Sequence, residues 1–543
     1  MTSFFTLSGV LLSVASLMIL AFSLVSSFVY IWRKKFTYWE KSGVAQPKEV
    51  SLLFGHTKDA VLQRIHFGVL CRRLYNELDG LRFGGFYHFT KPILLLRDPV
   101  LIKAVLVENF SHFHDRHDAK LLNEHLDPLT CHLVNLTGQR WKNIRAKLTP
   151  TFSPAKLRSM YGIMTDCAEE VNKYLSNAID GACNGKDVQD VKRLMAKYMT
   201  DVTGACVFGI RCNTIRDEDS EFDRMWRRIV TPCFRTRMRN LLRTLCPSLI
   251  PVLRITSHGR TADQFFKIVL KEAVESRKSS GQQRNDFLRL IIDLQAEERN
   301  RLQTNGHQDL KTQVSEKRKQ TASNGNIPEP LFTDTVVAAN AYVFFAGGYE
   351  TNINTLIYCL YELALNPGIY EKLRNEVDSV KETNGGVLTF EATKELVYLD
   401  AVVSETLRKY PPIGIMQRQC TESFRIPDSS VIVEKGTYVF IPVYGLHHDP
   451  TYFPEPEKFI PERFIEKQSI TPYTYLPFGD GPRICIGMRF AQLQMMTVLC
   501  NIISNYTVHP CERTVIPVKY DARASFLSPE GGIWLRFQRR SNP

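Results

Sequence analysis

Uncharged, mostly apolar positions run unbroken from Phe4 to Trp32, 29 residues in all, and Arg33-Lys34-Lys35 ends the run. A helix of that length crosses ~30 Å of hydrocarbon with some tilt. No Lys or Arg precedes it, so the basic cluster that follows keeps the rest of the chain on the cytosolic side. A cleaved signal peptide fits less well, because the apolar run is too long and lacks a basic start. The pattern predicts one N-terminal transmembrane helix over residues 1–32, a basic and polar linker over 33–55, and a large domain over 56–543. On that topology the sequons starting at Asn109, Asn135 and Asn505 face the cytosol and carry no glycan.

Beyond the linker the pattern turns mixed. Phe83–Phe89 and Pro92–Leu96 pair as a hairpin across Thr90-Lys91, and Asp98-Pro99 starts a helix, with Asp as N-cap and Pro at its first position. Helical periodicity dominates afterwards, over Ala155–Asn177, Asp190–Val207, Thr261–Ser276 and Thr333–Leu365. Short strand-like runs return late, at Val431–Val433, Thr437–Ile441 and Gly532–Phe537. Residues 299–330 are the polar exception and read as a solvated, flexible loop between two helices. The class is mainly α with small β-sheets, in one large domain.

The chain has 543 residues, enough to enclose a cofactor, and its 69 basic and 56 acidic side chains leave a charge of +13. A basic surplus suits nucleic acid, an anionic membrane face or an acidic partner. No zinc-ligand spacing or basic-aromatic repeat is present, so nucleic acid is set aside. The 13 cysteines are scattered and contain no C-x-x-C pair. That argues against a disulfide framework and a structural zinc site.

One cysteine stands apart. Cys485 lies in Phe478-Gly479-Asp480-Gly481-Pro482-Arg483-Ile484-Cys485-Ile486-Gly487, and a helix-like apolar run, Ile486–Ile503, follows at once. Glycines allow close backbone approach, and the start of a helix favours a thiolate. The pattern Phe478-x-x-Gly481-x-Arg483-x-Cys485-x-Gly487 resembles the haem-binding loop of the cytochrome P-450 superfamily, the haem-thiolate monooxygenases. The resemblance covers roughly Phe36–Phe537. Within it the stretches Ile441–Pro450, Pro461–Phe464 and Leu527–Gly532 look like the insect family-six type of the microsomal class.

Several further residues gain a meaning from that likeness. Gly347-Gly348-Tyr349-Glu350-Thr351 sits inside a long predicted helix, where each glycine costs about 1 kcal/mol. It matches the family's oxygen-activation motif, in which Glu350 and Thr351 relay protons beside a local opening of the helix. The bland alternative for Thr351 is a bond back to a carbonyl one turn earlier. Glu405 and Arg408, three apart on a helix, match the family's ion network with Arg463 of Pro461-Glu462-Arg463-Phe464. Other E-x-x-R pairs, at Glu221/Arg224, Glu298/Arg301, Glu371/Arg374 and Glu422/Arg425, read as surface pairs. Trp141-x-x-x-Arg145 and Arg483 match propionate-binding positions, and Arg116 and Arg418 match further ones. By family position, His117–Leu126, Phe344, Phe345, Pro412–Met416 and Phe526–Leu527 line the substrate pocket.

The resemblance therefore implies haem b held by Cys485 as axial ligand, O2 as co-substrate and an apolar small molecule as substrate. One oxygen atom enters the substrate and the other leaves as water. No nucleotide-binding fingerprint is present. Electrons from NADPH must then arrive through a partner, an NADPH–haemoprotein reductase with or without cytochrome b5. Arg140, Lys142 and Lys147 are the candidate docking cations. The basic run Arg224–Arg243 and the apolar run Leu245–Leu253 suit contact with membrane lipid. The location implied is the endoplasmic reticulum membrane. Xenobiotic or plant-toxin oxidation is the favoured activity; an endogenous steroid or fatty-acid hydroxylase is the alternative. A haem-thiolate isomerase or a non-catalytic haem sensor ranks below both, since Glu350 and Thr351 are present.

Overall fold

The computed structural model describes residues 18–20, 22–23, 26–27, 29–117, 124–180, 187–217, 220, 222, 224, 238–239, 241–242, 245–246, 249–256, 259–280, 287–312 and 331–540. Much of the apolar run of residues 1–32 and most of the basic run of 224–243 lie outside them, as do 118–123 of the pocket segment and 313–330 of the polar loop. No helix among the described residues is long and apolar enough to cross a membrane.

The hairpin forms as its alternation demands. β1 (Phe83–His88) and β2 (Lys91–Leu96) are antiparallel, with Phe86 opposite Ile93. β3 (Met416–Gln419) and β4 (Tyr438–Ile441) complete a four-stranded sheet in the order β1-β2-β4-β3. Only the β2–β4 contact is parallel. The sheet's inner face joins Trp39, Leu74, Tyr75, Phe86, Leu94, Val439 and Ile441 in a second core. Asp98 caps the helix Pro99–Lys103 by accepting from the Val100 N–H, as its position before proline implied.

The main core is helical. α1 (Gly138–Leu148), the helix Pro154–Asp180, α2 (Val191–Thr203), α3 (Phe287–Thr312) and α4 (Asp334–Leu365) pack with α5 (Val397–Lys409) and α6 (Met488–Asn505). α4 crosses the middle: from Asn352 to Ala364 every residue is buried. That explains its near-continuous apolar sequence, since a helix packed on all sides has no polar face.

Three expectations need correction. The first part of the polar segment is helical, because α3 continues to Thr312. Glu298 does not make a surface pair; its carboxylate accepts the backbone N–H groups of Leu331 and Phe332 and ties the end of α3 to the approach to α4. Arg239, assigned to a membrane-facing basic patch, is buried and pairs with buried Asp127 at 2.9 Å.

Candidate haem-thiolate site

The loop ahead of α6 is shaped by its glycines. Gly481 has φ +71°, and a Cβ there would meet the Leu106 carbonyl oxygen at 2.0 Å, so no other residue fits without moving backbone. Gly479 also has positive φ, at +74°. The Cys485 N–H donates to the Phe478 carbonyl at 2.9 Å, and the Ile484 N–H to that of Gly481 at 2.9 Å. These bonds fold the strip back on itself. Gly487 then precedes the first residue of α6.

Cys485 faces a cavity of about 1450 Å³ and is accessible through it. Enough protein surrounds the sulfur for burial to push its thiol up. The Gly487 N–H and the charges of Arg145 and Arg116 oppose that shift without overcoming it. A cation placed against the sulfur would reverse the balance and draw off the proton.

Gly347, Gly348, Glu350 and Thr351 of α4 line the same cavity. A Cβ on Gly347 would meet nothing within 4 Å, and one on Gly348 would touch only Thr203, at 4.0 Å. The protein's own packing therefore does not require these two costly glycines. They leave bare backbone facing the void. α4 itself is unbroken, against the expected local opening. The Thr351 hydroxyl bonds back to the Gly347 carbonyl at 2.5 Å, so the bland geometry is the one adopted. Glu350 is mostly buried and its carboxylate lies 3.6 Å from the Lys192 amine of α2. Nothing in the sequence pattern singled out Lys192.

Arginines form one rim. Arg116, Arg145, Arg418 and Arg483 all line the cavity with Trp141. The Arg483 guanidinium lies 4.1 Å from the centre of the Trp141 ring. It donates to the Leu136 carbonyl at 2.7 Å, to that of Val134 at 3.3 Å and to Asp115 at 3.4 Å. Among the described residues, Arg418 bonds only the Gln417 carbonyl, at 3.0 Å, and Arg116 only the Arg483 carbonyl, at 3.4 Å. The Nε atoms of Arg418 and Arg483 are buried without a partner among the described residues. Burial, followed by repulsion from Arg116 and Arg483, pushes Arg418 down to about 9; burial and repulsion from Arg116 do the same to Arg483. Asp115 supplies one negative charge, held below the usual carboxylate range although burial works against it. It lies 2.7 Å from His114 Nδ1 and accepts from the Gly138 N–H at 2.9 Å, and Arg483 is close by.

The ion network stands outside the cavity. Glu405 and Arg408 are fully buried. Arg408 donates to the two Glu405 oxygens at 2.6 and 2.8 Å, to the His447 carbonyl at 2.8 Å and to that of Lys458 at 3.2 Å. Arg463 sits 3.5 Å from Glu405. His447, which sequence reasoning passed over, joins this network to the cysteine loop. Its Nδ1 donates to the Arg408 carbonyl at 3.2 Å, and its Nε2 accepts from the Leu476 N–H at 2.8 Å, just ahead of Pro477-Phe478. Burial and the Arg408 charge push this imidazole down to about 3, so it is neutral and holds one tautomer.

Phe344, Pro412, Met416, Phe478 and Phe526 line the cavity as expected. Phe345 and Leu527 do not. Both are fully buried; Phe345 packs among Phe208, Phe222 and Tyr349, and Leu527 donates its N–H to the Pro412 carbonyl. Helical phase explains the first error, since adjacent residues point about 100° apart. Of the docking cations, Arg140 is paired with Glu124 and Lys147 with Glu297, while Lys142 is exposed and makes no ion pair with a described residue.

The donor set fits haem b. A dianionic macrocycle edge needs cations, and four guanidiniums line the cavity, of which Arg483 alone meets a carboxylate among the described residues. A flat ring needs clearance, and Gly347-Gly348 provides it. An iron ligand is needed as well, and Cys485 faces the same cavity. The volume exceeds the 300–1,000 Å³ common for a single small-molecule pocket, leaving room for a substrate beside the macrocycle.

Comparison with known proteins agrees. A family model described as Cytochrome P450 matches residues 81–537. Cytochrome P450 6k1 of Blattella germanica is 36% identical over 524 residues, covering 96% of each chain. Cytochrome P450 6a2 of Drosophila melanogaster is 35% identical, covering 96% of this chain and 99% of its own. Cytochrome P450 9e2 of Blattella germanica is 33% identical, covering 96% of both. With these matches spanning nearly its whole length, the chain belongs to the cytochrome P450 family of haem-thiolate monooxygenases.

Proposed function

We propose that this monooxygenase oxidises apolar xenobiotics such as plant toxins or insecticides, and that Cys485 would hold the haem iron through its thiolate. The observation carrying the residue assignment is the placement of the Cys485 thiol, the Gly347-Gly348 backbone and the four-arginine rim on one cavity. Haem b activates O2 with electrons delivered by a reductase. The residues of the chain do the rest. Arg116, Arg145, Arg418 and Arg483, with Trp141, seat the two propionates. Gly481 and Gly487 hold the loop so that the sulfur points inward. Glu350 and the Thr351 hydroxyl move protons: Thr351 passes its own proton on and is reprotonated through water from Glu350. Phe344, Pro412, Met416 and Phe526 exclude water and present the substrate's apolar surface. Glu405, Arg408 and Arg463 are structural, acting through His447 on the loop.

The finer setting is part of the same proposal. Residues 1–32 anchor the protein in the endoplasmic reticulum membrane, 33–55 link the anchor, and 56–543 form the catalytic domain. An NADPH–haemoprotein reductase docks at the face carrying Lys142. Likeness to insect relatives of the six and nine types supports xenobiotic turnover over an endogenous role. The test is reconstitution with that reductase, NADPH and 18O2 over a panel of toxins, steroids and fatty acids. One 18O atom per product across several unrelated xenobiotics is expected. Turnover of a single steroid or fatty acid alone would overturn the substrate assignment.

A further inference from the structure

One stretch of the cavity wall is polar: Arg239 lines it together with Thr130, His132 and Asn135. The Arg239 guanidinium is 2.9 Å from the Asp127 carboxylate, and both side chains are buried. Asp127 does not line the cavity, so the pair turns its cation toward the void and keeps its anion behind. A guanidinium carries five N–H groups in a fixed fork, so one edge can hold a carboxylate while another meets a ligand. The chain behind it is held in place. The Asp127 carbonyl accepts from the Thr130 N–H at 3.0 Å and from the Thr130 hydroxyl at 2.6 Å. The Asn135 amide donates to the Thr130 carbonyl at 3.1 Å and to His132 Nε2 at 3.2 Å. The Leu133 N–H donates to the buried Asn340 amide oxygen of α4 at 3.0 Å. Helix α4 also sets a distance. The His132 ring centre is 6.4 Å from that of Tyr342, and Tyr342 precedes Gly347 by about 7–8 Å along the helix axis. Charge is balanced here as well: Glu124 lies 3.1 Å from Arg140, as Asp127 does from Arg239 at 2.9 Å. Burial first, then the charges of Glu124 and Asp127, push up the Cys131 thiol, with Arg140 opposing, so both carboxylates reach this corner.

We propose that Arg239 is a specificity-determining residue that grips a neutral oxygen acceptor on the substrate (a ketone, ester, lactone or phosphoryl oxygen) and so selects which carbon faces the Gly347-Gly348 backbone. The inference rests on the reading of this cavity as the pocket for an apolar substrate, and it names that substrate's polar group. Entry of any apolar ligand expels water from the guanidinium. An acceptor oxygen replaces that water, whereas a hydrocarbon of the same shape does not. A carboxylate is rejected, because Asp127 already cancels the cation and a second anion is repelled by it. Only hydrogen bonds form and break in this step; no proton or electron is transferred. The helix spacing places the acceptor oxygen and the oxidised carbon roughly 7–10 Å apart.

The test uses the full-length, haem-loaded protein and three radiolabelled probes of equal carbon number: methyl nonyl ketone, undecane and undecanoic acid. Equilibrium binding is measured for the wild type and two variants. Asp127→Leu/Arg239→Met replaces the pair by apolar side chains, a change that commonly leaves a fold as stable or more so. It should weaken ketone binding about ten-fold and leave undecane binding unchanged or tighter. Asp127→Asn uncovers the cation and should tighten undecanoic acid about ten-fold, a gain that a purely structural pair would not produce. With reductase and NADPH, the wild type should oxidise the ketone at a narrow set of neighbouring carbons, and the double variant should spread oxidation along the chain. Unchanged ketone binding in the double variant, or equal loss of ketone and undecane, would overturn the proposal, as would a folded Asp127→Asn that gains nothing for the acid. The two readings fail differently. A wild type that binds none of the probes removes the apolar pocket and this inference with it; one that binds undecane but holds the ketone independently of Arg239 removes the inference alone.

Discussion

Two groups of buried and half-buried arginines in this protein are built on opposite plans. Arg408 is fully enclosed, and each of its three nitrogens meets an oxygen: two oxygens from Glu405 and one each from His447 and Lys458. Of the rim arginines Arg116, Arg145, Arg418 and Arg483, only Arg483 meets a carboxylate, Asp115, among the described residues; Arg116 repels both Arg418 and Arg483, and the buried Nε atoms of those two have no partner there. Burial alone therefore says little about a charge's purpose. A closed network stabilises the chain that contains it; an open one stores an unmet demand for anions that a ligand supplies. Haem propionates meet that demand, and this is why cofactor and fold depend on each other.

The comparison breaks first where effects are largest. Arg408→Ala leaves Glu405 buried without its main counter-charge, at a cost of about 3–5 kcal/mol. Folded, haem-loaded protein should be lost, read as soluble yield and Soret absorbance per chain. Normal haem content would place Arg408 outside the supporting network.

Arg418→Leu should do the reverse in the haem-free state. Removing an uncompensated cation should raise its unfolding midpoint by about 2 °C, while transfer of haem to a scavenger protein accelerates about ten-fold. If the haem-free protein is destabilised instead, the rim is structural after all.

Asp115 allows a finer test through pH. Its carboxyl is held below the usual carboxylate value in the folded protein. It therefore contributes stability above that value, and the contribution is lost as pH falls through the folded pKa. Asp115→Asn should cost about 2 kcal/mol at neutral pH, the scale of a charge-assisted hydrogen bond, and should flatten the acid limb of the stability profile. An unchanged acid limb would mean Arg483 is held without Asp115.

The smallest effect concerns the exposed face. Lys142→Glu should slow reduction by the reductase at low salt by a few-fold and weaken its salt dependence. Lys147→Glu, already paired with Glu297, should do less. Equal effects would remove the distinction between free and paired surface cations.

Much of this was legible in the sequence because the relevant signals are local. The Phe478–Gly487 strip carries its own turn chemistry, Asp98-Pro99 its own cap, and Glu405/Arg408 a spacing that one helix face determines. Lys192, His447 and Asp115 were not legible. Each takes its role from a partner far away in the chain, and no spacing records such a partner. Phe345 was misplaced because its neighbour Phe344 faces the cavity and adjacent helical residues diverge. The unbroken helix at Gly347-Gly348 shows the same limit: sequence reports that glycine is costly there, whereas only structure shows that the gain is bare backbone beside a void.

The central claim is that Cys485 ligates the haem iron as a thiolate. The direct measurement is the carbon-monoxide difference spectrum of the reduced protein, taken for the wild type and for Cys485→Ser. The wild type should show the strongly red-shifted Soret band that a thiolate ligand produces, and Cys485→Ser should lose it. A histidine-type band in the wild type, or an unchanged red-shifted band in Cys485→Ser, would contradict the assignment.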